Sequence, residues 1–244
     1  MVVFDLETVP DLAALARAHG LAASDEAGAE ALLKGKFPKL VFHKIVCIGM
    51  LVAERREGIW RVRSLDAPHA GHRSEADLIT DFAAEIEALR PQLVTFNGTA
   101  FDLPVLRYRA LVHRLPVPGL TCRPYYQRYS EAALDLCDML AGFLPGGKVS
   151  LDSLSRALDL PGKPEGIDGS RVHDFVRAGR LDEVSAYCRA DVAATYRIWL
   201  ALKRVRGEIS EAAYRASEAD LAQRGGETHL QPAPVLLASA TMPA

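Results

Sequence analysis

The run His43-Lys44-Ile45-Val46-Cys47-Ile48-Gly49-Met50-Leu51-Val52 constrains the fold more than any other stretch. Its β-branched and apolar residues read as a buried strand. Gly58 marks a turn, and Ile59 to Leu65 then alternates apolar with basic residues (Ile59, Trp60, Arg61, Val62, Arg63). That is the pattern of a half-exposed antiparallel partner. A hairpin so apolar must be covered, and the chain supplies the cover. Ser74 with Asp77 opens a helix that runs to about Arg90, where Pro91 stops it. Leu93 to Phe96 is a further strand, Asn97-Gly98 turns the chain, and Leu103 to Arg114 is helical with Pro104 in its first turn.

Upstream, Val2-Val3-Phe4-Asp5-Leu6-Glu7 is a strand that begins at once and is closed by Pro10. Residues 11–40 read either as two short helices, Asp11 to His19 and Ser24 to Lys34, or as a mobile insertion. Downstream, Leu115 to Tyr129 is an excursion loop rich in Pro, Arg and Tyr, and Ala133 to Leu140 is a short strand. Ser150 caps a helix through Leu158, Pro161 to Gly169 is a loop, and Leu181 to about Arg206 is a long helix. Ile209 to Arg224 is helical too. Strands interleaved with helices in this order predict one α/β domain with a mixed sheet over residues 1–224, followed by a flexible Pro- and Ala-rich tail from 225 to 244.

The 244 residues are 49% hydrophobic and 25% charged, the balance of a soluble globular chain. No apolar run reaches the length of a membrane span, and Asp5 and Glu7 interrupt any leader, so the expectation is a cytoplasmic protein with no membrane partner. Cys47, Cys122, Cys137 and Cys188 form no C-x-x-C pair and read as packed, reduced thiols. The net charge of −2 excludes a globally basic nucleic-acid binder. Any attraction for a polyanion must come from local Lys and Arg and from bound cations. Oligomeric state leaves no trace in the sequence.

Three constellations carry chemistry. In Asp5-Leu6-Glu7, residues i and i+2 project from one face of the strand while Leu6 points into the core. Two acids side by side repel unless a cation sits between them, although for the pair taken alone a strand end facing water is the better explanation. In Asn97-Gly98-Thr99-Ala100-Phe101-Asp102-Leu103-Pro104, Asp102 stands at a helix start, where it serves as an N-cap, a metal ligand or both. Asn97 can donate to a sugar or phosphate, and Phe101 is either core or a surface for substrate. Tyr187 and Asp191 share a helical face, and Asp191 lies among Ala190, Val192, Ala193 and Ala194, where an acid needs a partner.

In this order the three motifs, DLE, NGTAFDLP and YCRAD, resemble the DEDD superfamily of 3′–5′ exonucleases, whose fold is ribonuclease H-like, and specifically its tyrosine-bearing branch, DEDDy. The chain looks like a stand-alone version of the proofreading exonuclease domain of family-B DNA polymerases. The likeness covers most of residues 1–205, Lys148 to Val172 included. The 11–40 insertion and the start of the chain almost on the first motif depart from the family pattern without touching a motif residue.

The resemblance implies an α/β ribonuclease H-like mixed sheet flanked by helices. It implies two divalent cations, Mg²⁺ or Mn²⁺, with Asp5, Glu7 and Asp191 on one and Asp5 and Asp102 on the other. Tyr187 would orient the attacking water, and nucleoside 5′-monophosphates would leave the 3′ end of DNA, single-stranded in preference. Asn97, Phe101, Lys148 and Lys163 are the expected substrate contacts, with solvated loop lysines the alternative for the last two. Two other readings stay open: a 3′–5′ exoribonuclease or oligonucleotidase with the same metal site, and a catalytically silent nucleic-acid-binding module on the same fold.

Overall fold

The computed structural model describes residues 1–160 and 169–226; most of the loop expected from Pro161, with Lys163, and the tail beyond Gly226 lie outside them. The strands are β1 (Val2–Pro10), β2 (His43–Arg56), β3 (Ile59–Asp66), β4 (Leu93–Thr95) and β5 (Ala133–Asp135). The helices are α1 (Leu12–Ala18), α2 (Glu26–Leu33), α3 (Glu75–Leu89), α4 (Asp102–His113), α5 (Leu136–Leu140), α6 (Leu151–Ala157), α7 (Val172–Arg177), α8 (Leu181–Val205) and α9 (Glu211–Gly226).

The five strands form one mixed sheet in the order β3-β2-β1-β4-β5. The β1–β2 and β2–β3 pairs are antiparallel, whereas β4 runs parallel to β1 and β5 parallel to β4. Alternation along β1 sorts its side chains between the two faces. Val2, Phe4 and Leu6 enter a core with Leu78, Ile79 and Phe82 of α3 and Leu103 and Leu106 of α4. Val3 enters the opposite core with Val192, Tyr196 and Trp199 of α8. Asp5 and Glu7 follow Val3 in phase and therefore face α8. Trp199 is fully buried and meets Trp60 edge to face at 4.7 Å, so both tryptophans pack. All four cysteines are free thiols. No helix among the described residues is long and apolar enough to cross a membrane.

The insertion forms the two expected helices. Asp11 caps α1 through Ala14 N–H and Asp25 caps α2 through Gly28 N–H, each at 2.9 Å. Leu12, Leu15, Ala16 and Ala29 give it a small core of its own. A buried ion network ties it to the domain. Arg109, 2% exposed, donates to Asp11 at 2.7 Å and in a fork to Glu75 at 2.7 and 2.6 Å. Glu75 also accepts the amide of Ile45 at 2.7 Å.

Three elements differ from expectation. The strand expected through Leu140 stops at Asp135, whose side chain accepts the amide of Asp138 at 3.2 Å and starts α5 instead. Helix α7 is six residues long, too short for a periodic signal, and is held by burial of Val172 and Phe175. Helix α9 extends through Gly226, past the expected start of the tail. The Pro-, Arg- and Tyr-rich excursion caps the core: Tyr125 is 2% exposed and donates its hydroxyl to Pro91 O at 2.9 Å.

Candidate active site

Asp5 pairs across the sheet with Gly49 and Glu7 with Cys47. Over this patch lies α8, and Gly49 lets it come close. A Cβ at Gly49 would stand 2.7 Å from Cys188 Sγ and 2.8 Å from Val192 Cγ2, so any other residue forces those side chains, or the helix that carries them, to shift. Tyr187 and Asp191, one turn apart on α8, are thereby brought over the β1 carboxylates. Glu7, Tyr187 and Asp191 are 6%, 5% and 7% exposed. The Cys188 thiol lies 3.8 Å from Asp5 Oδ2, and ligand atoms of Asp5, Glu7 and Cys188 fall within 4.8 Å of one another.

Tyr187 registers this concentration of charge. Burial raises its phenol pKa above the ordinary value, and Asp191, Glu7, Asp5 and the hydrogen bond to Asp191 raise it further. The hydroxyl therefore remains protonated and donates to Asp191.

Asp102 enters from the sheet's other side. It is the first residue of α4, and the N-cap position is held by Phe101, which corrects the N-cap expectation. The reason is a competing partner. Parallel pairing of β1 with β4 ends at Val3 and Val94, which leaves the amide of Leu6 beyond the ladder. Asp102 Oδ1 accepts it at 3.1 Å. The carboxyl thus sits against the backbone between Asp5 and Glu7. It is 3% exposed, and burial, with the nearby charge of Asp135, pushes its pKa up to about 7.

Asp135, unremarked in the sequence, shapes the turn of the second motif. Its two oxygens accept the amides of Asn97 at 2.8 Å and Thr99 at 2.9 Å. Asn97 has φ +69°, a left-handed conformation that Asn tolerates better than most residues. Lys148 donates to Asn97 Oδ1 at 2.9 Å and pairs with Asp138 at 2.8 Å. An ammonium can only donate, so the Asn97 amide is fixed with its NH₂ available as donor.

Asp5, Glu7, Tyr187, Asp191, Asn97 and Phe101 line one open cleft of about 1020 Å³. Asp102 and Lys148 are not among the residues lining it, and Lys163 lies outside the described residues. The insertion forms one wall and supplies a feature the sequence did not announce. Phe37 is 74% exposed, with its ring 4.6 Å from His43 and 5.8 Å from Phe101. Its only sequence signal is an aromatic residue set among Lys34, Lys36 and Lys39. His43 is bound by Thr8 Oγ1 and Pro38 O, and burial lowers its pKa, which keeps the imidazole neutral.

Several carboxylates gathered out of water are unfavourable without a cation among them. An oxygen-rich donor set suits hard divalent ions, so the residues present fit Mg²⁺ or Mn²⁺.

The mixed sheet with helices on both faces, and a carboxylate cleft where α8 crosses β1, define an α/β domain of the ribonuclease H-like class. The chain belongs to the family described as predicted 3′–5′ exonucleases related to the exonuclease domain of PolB, whose model matches residues 35–231. That span holds Asp102, Tyr187 and Asp191 and begins after Asp5 and Glu7. Among solved structures, the chain is similar to the family B DNA polymerase from the hyperthermophilic archaeon Pyrobaculum calidifontis. The TM-score is 0.53 and the identity 15%, over 80% of this chain and 23% of the polymerase, so the chain spans about a quarter of that protein. No curated protein matches it in sequence.

Proposed function

We propose that this protein is a metal-dependent 3′–5′ exonuclease that shortens single-stranded DNA and releases nucleoside 5′-monophosphates. The observation that carries the reading is the convergence of Asp5, Glu7, Tyr187 and Asp191, from the two ends of the chain, on one cleft that also holds Asn97 and Phe101. Asp5, Glu7 and Asp191 would hold one divalent cation, and Asp5 with Asp102 a second. Bound there, such ions lower the pKa of water and neutralise charge on the phosphoryl oxygens.

The remaining work falls to the chain. The Tyr187 hydroxyl donates a hydrogen bond to Asp191, and its oxygen would accept one from the attacking water and set its direction. Asn97, held by Lys148, offers its NH₂ to a phosphate or sugar oxygen. Phe37 and Phe101 present ring faces that an unstacked base can use and a paired base cannot, which favours a single strand. Lys163 completes the reading as a phosphate contact.

The test is a single-stranded DNA labelled at its 5′ end, incubated with the chain in Mn²⁺, Mg²⁺ or EDTA beside Asp5→Ala. The expected result is a metal-dependent ladder shortening from the 3′ end, reduced at least about 100-fold in the variant. Folded, metal-loaded protein that leaves DNA intact would overturn the reading. Degradation of an RNA strand alone would move the substrate from DNA to RNA.

A further inference from the structure

Away from the carboxylate cleft, the loop after β3 meets the first turn of α8. His69 on this loop is 8% exposed and is joined to Cys47 of β2 by an isolated β-bridge. The amide of His72 closes a turn onto His69 O at 3.2 Å, and the two imidazoles lie 4.8 Å apart at 52°. Asp182, in the first turn of α8, has Oδ1 3.1 Å from His69 Nε2. The other ring nitrogen, Nδ1, accepts the amide of Gly71 at 3.2 Å. A neutral His69 so arranged carries its proton on Nε2 and donates it to Asp182.

We propose that His69, His72 and Asp182 form a second metal site, for a borderline transition cation such as Zn²⁺, which staples this loop to the start of α8. Each residue offers a ligand atom, and the three atoms lie within 4.8 Å of one another. Two imidazoles with one carboxylate form a donor set that zinc takes readily and magnesium does not. This separates the site from the oxygen-rich cleft. His69 is the fixed anchor; His72 and Asp182 are exposed, and their side chains have room to close on an ion. Binding at His69 Nε2 moves the ring proton to Nδ1 and breaks the single bond from Gly71, with no net release of a proton. Three protein ligands leave one tetrahedral position to water. The ion would hold the start of the helix that carries Tyr187 and Asp191 further along, which gives it a structural role in the protein.

The experiment is a calorimetric Zn²⁺ titration of the full chain, stripped with EDTA and then dialysed into saturating Mg²⁺. It is repeated on Asp5→Asn, His72→Ala and Asp182→Asn, with Co²⁺ as a visible-absorption probe. One Zn²⁺ per chain is expected in wild type and in Asp5→Asn. His72→Ala and Asp182→Asn, both at exposed side chains, should weaken it at least about tenfold and abolish the Co²⁺ ligand-field bands. Zinc binding that vanishes in Asp5→Asn, or persists unchanged in His72→Ala, would overturn the proposal. So would the absence of zinc binding to folded wild-type protein.

Discussion

Asp102 ties folding to pH and metal. Burial, with the nearby charge of Asp135, pushes the pKa of its carboxyl up to about 7, from the 3.8 of an exposed aspartate. Between those values the folded chain holds a proton that the unfolded chain has lost. The contribution of Asp102 to metal-free stability therefore falls as pH rises from about 4 to about 7, and stays lowered above that. Asp102→Asn keeps an oxygen for the Leu6 amide and removes this penalty. In EDTA at pH 8 the variant should melt a few degrees above wild type, with the gap closing at pH 5, while nuclease activity drops by more than about 100-fold. A variant that melts lower at both pH values would show that the charge is not the destabilising element. Tyr187 is shifted in the same direction, and a phenol held protonated acts through geometry. Tyr187→Phe should lower kcat with KM little changed, and the wild-type rate should show no alkaline limb from a phenol below pH 10.

At the scale of elements, the seat of α8 on the sheet decides whether the third motif reaches the first. Gly49→Ala places a methyl group where Cys188 Sγ and Val192 Cγ2 already stand. The expected loss is about 1–3 kcal/mol, read in a denaturant melt, with a fall in kcat as Tyr187 and Asp191 shift. Combining it with Cys188→Ala should return part of both; strict additivity would place the clash elsewhere. The same scale explains what the sequence disclosed. β2 and β3 were legible from composition and alternation, α1 from the spacing of Leu12, Leu15 and Ala16, α2 from acids near its start and a lysine near its end, and α3 from its Ser74–Asp77 start. These signals are local. The extent of β5 was not legible, because Leu136, Cys137 and Met139 suit a strand as well as a helix, and the deciding bond runs from Asp138 N to the Asp135 side chain.

For the whole molecule, spacing alone places Asp5 with Glu7 and Tyr187 with Asp191, but each pair by itself suits a plain surface or packing role, and only their ordered occurrence with the second motif, through the family resemblance, pointed to a site. Asp135 and Phe37 were not legible, because they join the site only through sheet order and through the fold of the insertion. A chain of net charge −2 that gathers carboxylates in one cleft should be stabilised by the cations it binds. Millimolar Mg²⁺ or Mn²⁺ should raise the melting midpoint of wild type and leave that of Asp5→Ala nearly unmoved. An equal rise in both would place the stabilising ions elsewhere.

The Arg109 network gives the insertion a standing its sequence did not suggest. Excising residues 11–40 would strip Asp11 from a guanidinium sealed away from solvent and leave Glu75 as its only carboxylate partner among the described residues. Arg109 would keep its fork to Glu75 but lose one of its two counter-charges, a destabilising change for a buried guanidinium. The segment is therefore a keystone rather than an ornament. An engineer seeking a minimal version of this domain would have to redesign the interior at Arg109 before shortening the rim of the cleft.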